Sequence, residues 1–264
     1  MLEVKNVRKV FNAGTSNEKV ALENVTLTLQ TGEFITVVGG NGAGKSTLLN
    51  AVAGVYPIDG GSVHIDGHDV TNLAEFKRAR YIGRVFQDPM MGTAATMEIE
   101  ENLALAYRRG RRHGLRWGIT NKERETYREL LATLGLGLED RMHTKVGLLS
   151  GGQRQALTLL MATLQKPLLL LLDEHTAALD PKTAATVLAA TEQIINREKL
   201  TTLMITHNMR DAIAYGNRLV MMYDGRIVVD VSGEEKRNLT IEKLLQAFSA
   251  SSNSDEVFDK LILP

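Results

Sequence analysis

The stretch EFITVVGGNGAGKSTLLNAVAGV, residues 33–55, decides how the rest of the chain is arranged. Its opening, EFITVVGG, reads as a strand buried on both faces, and KSTLLNAVAGV reads as a helix. Between them Gly39, Gly40, Asn41, Gly42, Ala43, Gly44, Lys45 and Ser46 fit the pattern G-x-x-x-x-G-K-[ST]. Glycines let successive backbone N–H groups curl around phosphate oxygens, and the helix N-terminus adds a favourable potential. Lys45 can then reach the β and γ phosphates, and Ser46 can hold Mg²⁺. A phosphate-binding loop between a strand and a helix places this segment at the centre of an α/β sheet.

The flanking sequence repeats the alternation. PLLLLLDE is a second buried strand followed by the helical PKTAATVLAATEQIINRE; TTLMITH is a third strand, and NRLVMMYDGRIVVD reads as a hairpin turning at Asp224-Gly225. Such alternation predicts a mainly parallel sheet covered by helices, an α/β fold. LEVKNVRKVF and ALENVTLTLQTG read instead as antiparallel strands, an N-terminal β subdomain. Residues 89 to about 158 read as mostly helical, a subdomain inserted into the sheet domain. The expected division is therefore 1–88 for the first part of the core, 89–158 for the helical subdomain, 159–230 for the rest of the core and 231–264 for a short tail. SASSNSDE within that tail reads as a loose connection.

Composition narrows the partners. The 31 basic and 31 acidic residues cancel, so no whole-protein field draws the chain to nucleic acid or anionic lipid. Absence of cysteine excludes a disulfide scaffold and Cys-ligated zinc. No apolar run approaches the roughly 20 residues that span a bilayer, and no signal peptide is visible. These features predict a cytosolic chain that reaches a membrane only through another protein.

The leucine strand ends in Asp173 and Glu174. In P-loop nucleotide hydrolases an aspartate at the end of a second apolar strand helps hold Mg²⁺, and a neighbouring carboxylate can orient the attacking water. A glutamate beside the aspartate favours hydrolysis over transfer to a substrate hydroxyl. A second anion nest, Leu149-Ser150-Gly151-Gly152-Gln153, opens the helix RQALTLLMATL, although one phosphate loop already serves the nucleotide.

With these motifs in order the chain resembles the ATP-binding subunits of ABC transporters from about residue 2 to about 230. The resemblance is carried by the P-loop at 39–46, VFQDP with Gln87, LSGGQ at 149–153, LLLLLDE, AALD ending at Asp180, and ITH with His207. It implies the RecA-like core of P-loop nucleoside triphosphatases, and a head-to-tail dimer in which each ATP lies between the P-loop of one copy and the signature, Ser150, Gly151, Gly152 and Gln153, of the other. It also implies roles: Gly39, Asn41, Gly42, Ala43, Gly44, Lys45, Ser46 and Thr47 bind phosphates and Mg²⁺, with Asp173 and Gln87 at the metal. Glu174 is implied as general base, His207 as a γ-phosphate contact, and Gln87 as a sensor that relays to the helical subdomain. Asp180 belongs to the D-loop, and Phe11 stands where the family places an aromatic that stacks on adenine.

An engine without a membrane segment implies a separate permease, whose cytoplasmic helix docks beside Gln87 against DPMMGTAATMEIEENLALA, with Met90 and Met91 as adaptable apolar contacts. The chain would then lie peripherally on the cytoplasmic face of the membrane. YIGRVFQDPMMGTAATMEIEENLALAYRRG and DEHTAALDPKTA resemble the ATPases of bacterial importers that work with an extracytoplasmic binding protein, some linked to tryptophan or tyrosine uptake. Other readings are an ABC exporter ATPase, a soluble ABC-type ATPase of repair or translation, and a P-loop kinase or GTPase. The soluble kind carries two cassettes or a long coiled coil, and a kinase or GTPase has no use for LSGGQ. His175 departs from the proline usual after the glutamate; it either packs the turn or tunes Glu174 by titration. YRRGRRHGLRW, residues 107–117, reads as a solvated basic loop, with lipid headgroups or the permease edge as the functional alternative.

Overall fold

A computed structural model describes residues 1–110 and 118–252. The chain begins with two long strands, β1 (Leu2–Phe11) and β2 (Lys19–Leu29), followed by β3 (Phe34–Val38) and α1 (Lys45–Ala53). Next come β4 (Gly60–Ile65), β5 (His68–Asp69), a single turn α2 (Glu75–Arg78) and β6 (Ile82–Val85). Three helices, α3 (Ile99–Tyr107), α4 (Asn121–Ala132) and α5 (Gly151–Thr163), precede β7 (Leu169–Asp173), α6 (Pro181–Glu198), β8 (Thr202–Ile205) and α7 (Met209–Ala214). The hairpin β9 (Arg218–Tyr223) and β10 (Arg226–Ser232) is followed by α8 (Gly233–Arg237) and α9 (Ile241–Ser252).

Two sheets result. One is antiparallel in the order β2-β1-β4-β5; the other runs β10-β9-β3-β8-β7-β6 and is parallel except at the β9/β10 hairpin. Most of the parallel strands are nearly continuous apolar runs, β6 with Gly83 and Arg84 being the exception, and Leu169, Leu170, Leu171 and Leu172 are all fully buried. Burying each leucine is worth about 1.5–3 kcal/mol before chain entropy is counted. The hairpin turns at Asp224 (φ 45°) and Gly225 (φ 72°), the paired left-handed conformations of a two-residue turn. Val63, Ile65 and Leu29 from the antiparallel sheet share a core with Ile35, Val37 and Leu171 from the parallel one, with α1 between them. A second core joins the other face of the parallel sheet to α3, α4 and α5.

Two differences from expectation concern the end of one helix and three short strands. Ser249 through Ser252 of SASSNSDE belong to α9 rather than to a loose connection. Leu244 and Phe248 of that helix are buried against β9 and β10, and this apolar pair outweighs the serines around it. The strands β4, β5 and β6 were not evident in the sequence; they are short and carry glycine, histidine and arginine.

One buried polar side chain ties the end of the segment between β6 and α3 to that helix. Asn102 is buried; its Oδ1 accepts from the Ala94 N–H (2.7 Å), and its Nδ2 donates to the carbonyls of Ala94 (3.1 Å) and Glu98 (2.9 Å). Asn102→Ala strands these groups away from water, and urea denaturation is expected to show a loss of about 2–4 kcal/mol. A loss below about 0.5 kcal/mol, the scale of an ordinary surface change, contradicts this role.

Candidate functional site

The loop after β3 is shaped by three glycines in left-handed or neighbouring conformations: Gly39 (φ 153°), Gly42 (φ 80°) and Gly44 (φ 101°). A Cβ on Gly39 would lie 2.3 Å from the Met222 carbonyl oxygen, and one on Gly44 would lie 2.6 Å from that of Ala21. Backbone from β9 and from β2 therefore presses the loop from two sides, and only glycine fits. Gly44 is also the N-cap of α1, so the free N–H groups of the first helical turn face the loop.

Lys45 is buried, and its Nζ donates to the carbonyls of Gly39 (2.8 Å) and Gly40 (3.2 Å). Burial lowers its pKa, while Glu174 and Asp173 act in the opposite direction. A pocket of about 210 Å³ is lined by this loop, by Ser46 and Thr47, by Phe11 and Lys19, and by Glu174. Phe11 and Lys19 face each other at the end of the β1/β2 register, and the Phe11 ring meets Tyr56 edge-on at 5.3 Å. Lys19 was not singled out by the sequence; the register that sets it opposite Phe11 was the only available signal.

The strand ends supply the acidic groups. Parallel pairing puts Asp173 opposite Ile205, so the residues just beyond, Glu174 and His207, come side by side with His207 Nδ1 3.4 Å from Glu174 Oε2. Glu174 takes a left-handed φ of 42°, and its N–H donates to the Ile205 carbonyl (3.1 Å), which aims the side chain off the strand axis. Burial raises the Asp173 pKa, and Arg84, 3.1 Å away, opposes that shift. Ser46 hydroxyl, Asp173 carboxylate and the Gln87 amide are all oxygen donors, the set a hard divalent cation takes, so these residues fit Mg²⁺. Gln87 itself is exposed beyond the end of β6.

The signature residues lie elsewhere. Ser150 caps α5, its Oγ accepting from the Gln153 N–H (3.3 Å) while Gln153 Oε1 accepts from the Ser150 N–H (3.3 Å). A Cβ on Gly152 would meet Thr183 Cγ2 at 2.0 Å, so the start of α5 packs on the start of α6. Asp180 caps α6 by accepting from the Thr183 N–H (3.1 Å), and that bonding lowers its pKa. None of Ser150, Gly151, Gly152, Gln153 or Asp180 lines the pocket formed by the phosphate loop and Phe11. One chain thus gathers Phe11, the loop, Asp173, Glu174 and His207, and leaves the second nest outside.

A strand–loop–helix phosphate site with an acidic pair on the next strand but one defines a P-loop nucleoside triphosphatase. A family model described as ABC transporter matches residues 22–177. The tyrosine transport ATP-binding protein of Clostridioides difficile is 44% identical over 248 residues, which cover 94% of this chain and 98% of that one. The methionine import ATP-binding protein of Bartonella henselae is 34% identical over 86% of this chain, which spans only 64% of that longer relative. A dimeric ATP-binding cassette in a post-hydrolysis state bound to ADP and Pi superposes with a TM-score of 0.75 at 28% identity, covering 88% of this chain and 98% of that one. An ABC transporter cassette in its ADP conformation gives 0.77 at 27% identity, covering 94% and 98%. The chain belongs to the ABC transporter family, as one of its ATPases.

His175 does not line the phosphate-loop pocket. It is buried, with Nε2 3.1 Å from Thr191 Oγ1; that hydroxyl donates to the Val187 carbonyl (2.8 Å), so Nε2 is the donor to Thr191. Burial pushes its pKa down to about 4. Below the ordinary value near 6.5 the unfolded chain takes up a proton that the folded chain refuses, so stability is lost as pH falls from about 6.5 to about 4. The contribution reaches up to about 3 kcal/mol. His175→Gln is expected to flatten this part of the stability–pH curve and to leave the shape of the ATPase pH profile above pH 6 unchanged. An unaltered acid limb, or a displaced ATPase profile, contradicts the assignment.

Proposed function

We propose that this chain is the ATP-hydrolysing subunit of a solute importer, and that two copies close head to tail around two ATP molecules. The observation that carries this reading is the separation within one chain of the phosphate-loop pocket from the capped nest at Ser150–Gln153. A nest whose N–H groups face outward at a helix N-terminus suits the γ-phosphate of a nucleotide held by a second copy. In this reading residues 1–88 and 159–230 form the ATP-binding core and 89–158 the helical arm that presents the nest.

Each residue then has a physical task. Phe11 offers a face to adenine, loop amides and Lys45 hold phosphate oxygens, and Ser46, Asp173 and Gln87 would hold Mg²⁺, which neutralises charge on the transferring phosphoryl group. Glu174 accepts the proton of the attacking water, and His207, already beside it, reaches the γ-phosphate. Loss of that phosphate on hydrolysis removes the contact between copies, and the dimer opens.

The load is a separate integral membrane permease; among the described residues no helix is long and apolar enough to cross a membrane. A groove of about 420 Å³ between β6, α3 and α5 offers Phe86, Met91, Leu105 and Met161, and Met91 and Leu105 are 69% and 58% exposed. An amphipathic helix of the permease fits such a groove, placing the chain on the cytoplasmic face of the membrane. The names of the relatives support uptake, with tyrosine or a similar aromatic amino acid as solute; an extracytoplasmic binding protein would deliver it to the permease. The basic run 107–117 lies largely outside the described residues; Arg108 pairs with Glu123 (3.2 Å), and Arg109 donates to the Ala162 carbonyl (3.4 Å).

Glu174→Gln is expected to bind ATP, to turn it over at least about a hundredfold more slowly, and to run as a dimer in light scattering only when ATP is present. Near-normal turnover removes Glu174 from the role, and a monomer with ATP bound removes the closed dimer. Leu105→Glu is expected to keep the ATPase of the isolated chain and to lose a permease that co-purifies with the tagged wild-type chain. Equal recovery of the permease moves its dock away from this groove.

A further inference from the structure

Arg84 has no part in the roles above, yet it touches the residue read as the metal carboxylate. It is the third residue of β6, lying beside Leu171 of β7 in the parallel register. Its Nη2 donates to Asp173 Oδ2 (3.1 Å) and to Asn50 Oδ1 at the end of α1 (2.8 Å). The guanidinium carbon lies 4.6 Å from the centre of the Phe86 ring, so the cation is braced on one face as well. Both members of the pair are largely removed from water, with side-chain exposures of 13% and 16%.

The bonding is selective. Among the described residues Arg84 engages Oδ2 of Asp173, and no hydrogen bond to Oδ1 is found. A planar guanidinium braced by an aromatic ring and an asparagine fixes the place of the carboxylate oxygen it holds more closely than a flexible ammonium would. The same side chain lines the apolar groove between β6, α3 and α5, so it spans from that groove to the end of the Asp173 strand. Its Nε is buried without a hydrogen-bond partner, a cost that a side chain serving only to fill the groove would not carry.

We propose that Arg84 is a positioning residue for Asp173, holding Oδ2 so that Oδ1 is presented to the divalent cation that accompanies ATP. This rests on reading Asp173 as a metal carboxylate. Partners of this kind orient a ligand without touching the metal, and losing one typically costs about 10–100-fold in metal affinity. Arg84 is not among the residues that line the phosphate-loop pocket, so its effect is expected in the increment that the metal adds.

The test compares ADP binding in excess Mg²⁺ with ADP binding in EDTA, by calorimetry, for the wild-type chain and for Arg84→Met, Arg84→Lys and Asp173→Asn. The ratio of the two affinities is expected to fall about 10-fold or more in Arg84→Met while the affinity in EDTA stays at the wild-type value, which also shows that the variant is folded. Arg84→Lys keeps the charge without the fork and is expected to recover part of the ratio. If Asp173→Asn lowers the ratio and Arg84→Met does not, Arg84 does not position the carboxylate. If Asp173→Asn leaves the ratio unchanged, the metal role of Asp173 fails, and the proposal that rests on it fails for that separate reason.

Discussion

The phosphate loop is clamped between two sheets, and the rest of the architecture follows from that confinement. Met222 backbone on one side and Ala21 backbone on the other leave no room for side chains at Gly39 and Gly44. The β9/β10 hairpin and the antiparallel sheet are therefore held against the same short stretch of backbone, as the bond from the Gly225 N–H to the Ala43 carbonyl (3.1 Å) also records. A loop fixed this way holds its N–H groups in place before any phosphate arrives, so little ordering cost remains when one binds. It also fixes where the acidic strand must end, because β8 alone separates β7 from β3.

Much of this was legible in the sequence, for a physical reason. Strands buried on both faces must be continuously apolar, so β3, β7 and β8 could be read from FITVV, LLLLD and TLMI. Helix α6 was readable as PKTAATVLAATEQIINRE, because Asp180 followed by Pro181 is a cap and a first-turn residue; the left-handed Lys199 that closes it is visible only in the structure. The edge strand β6 was not readable: it has four residues, two of them Gly83 and Arg84, and only its pairing with β7 makes it a strand. The end of α9 was misread because a serine-rich run looks like a linker until Phe248 is seen packed against Tyr223.

The same divide separates the site residues. Motif chemistry pointed to Lys45, Ser46, Asp173 and Glu174, since a phosphate loop and an acidic strand end are local in sequence. Residues that matter only through long-range pairing were silent: Lys19 is recognised by its register with Phe11, and Arg84 by a contact with Asp173, 89 residues away. His175 illustrates a choice that burial makes. Enclosed against Thr191 and neutral, it serves the packing of α6 under the acidic strand rather than the charge of Glu174.

The central claim is that one active site is built from two chains, and it can be tested by mixing two disabled variants. Lys45→Ala removes the phosphate cation from one copy, and Ser150→Arg blocks the nest of the other, so each is expected to be inactive alone. In a head-to-tail dimer the mixture contains sites with an intact Lys45 from one chain and an intact Ser150 from its partner. The account predicts that ATPase activity returns on mixing. If the mixture stays as inactive as its components while a mixed dimer of the two variants forms with ATP present, each site is completed within a single chain and the account is wrong.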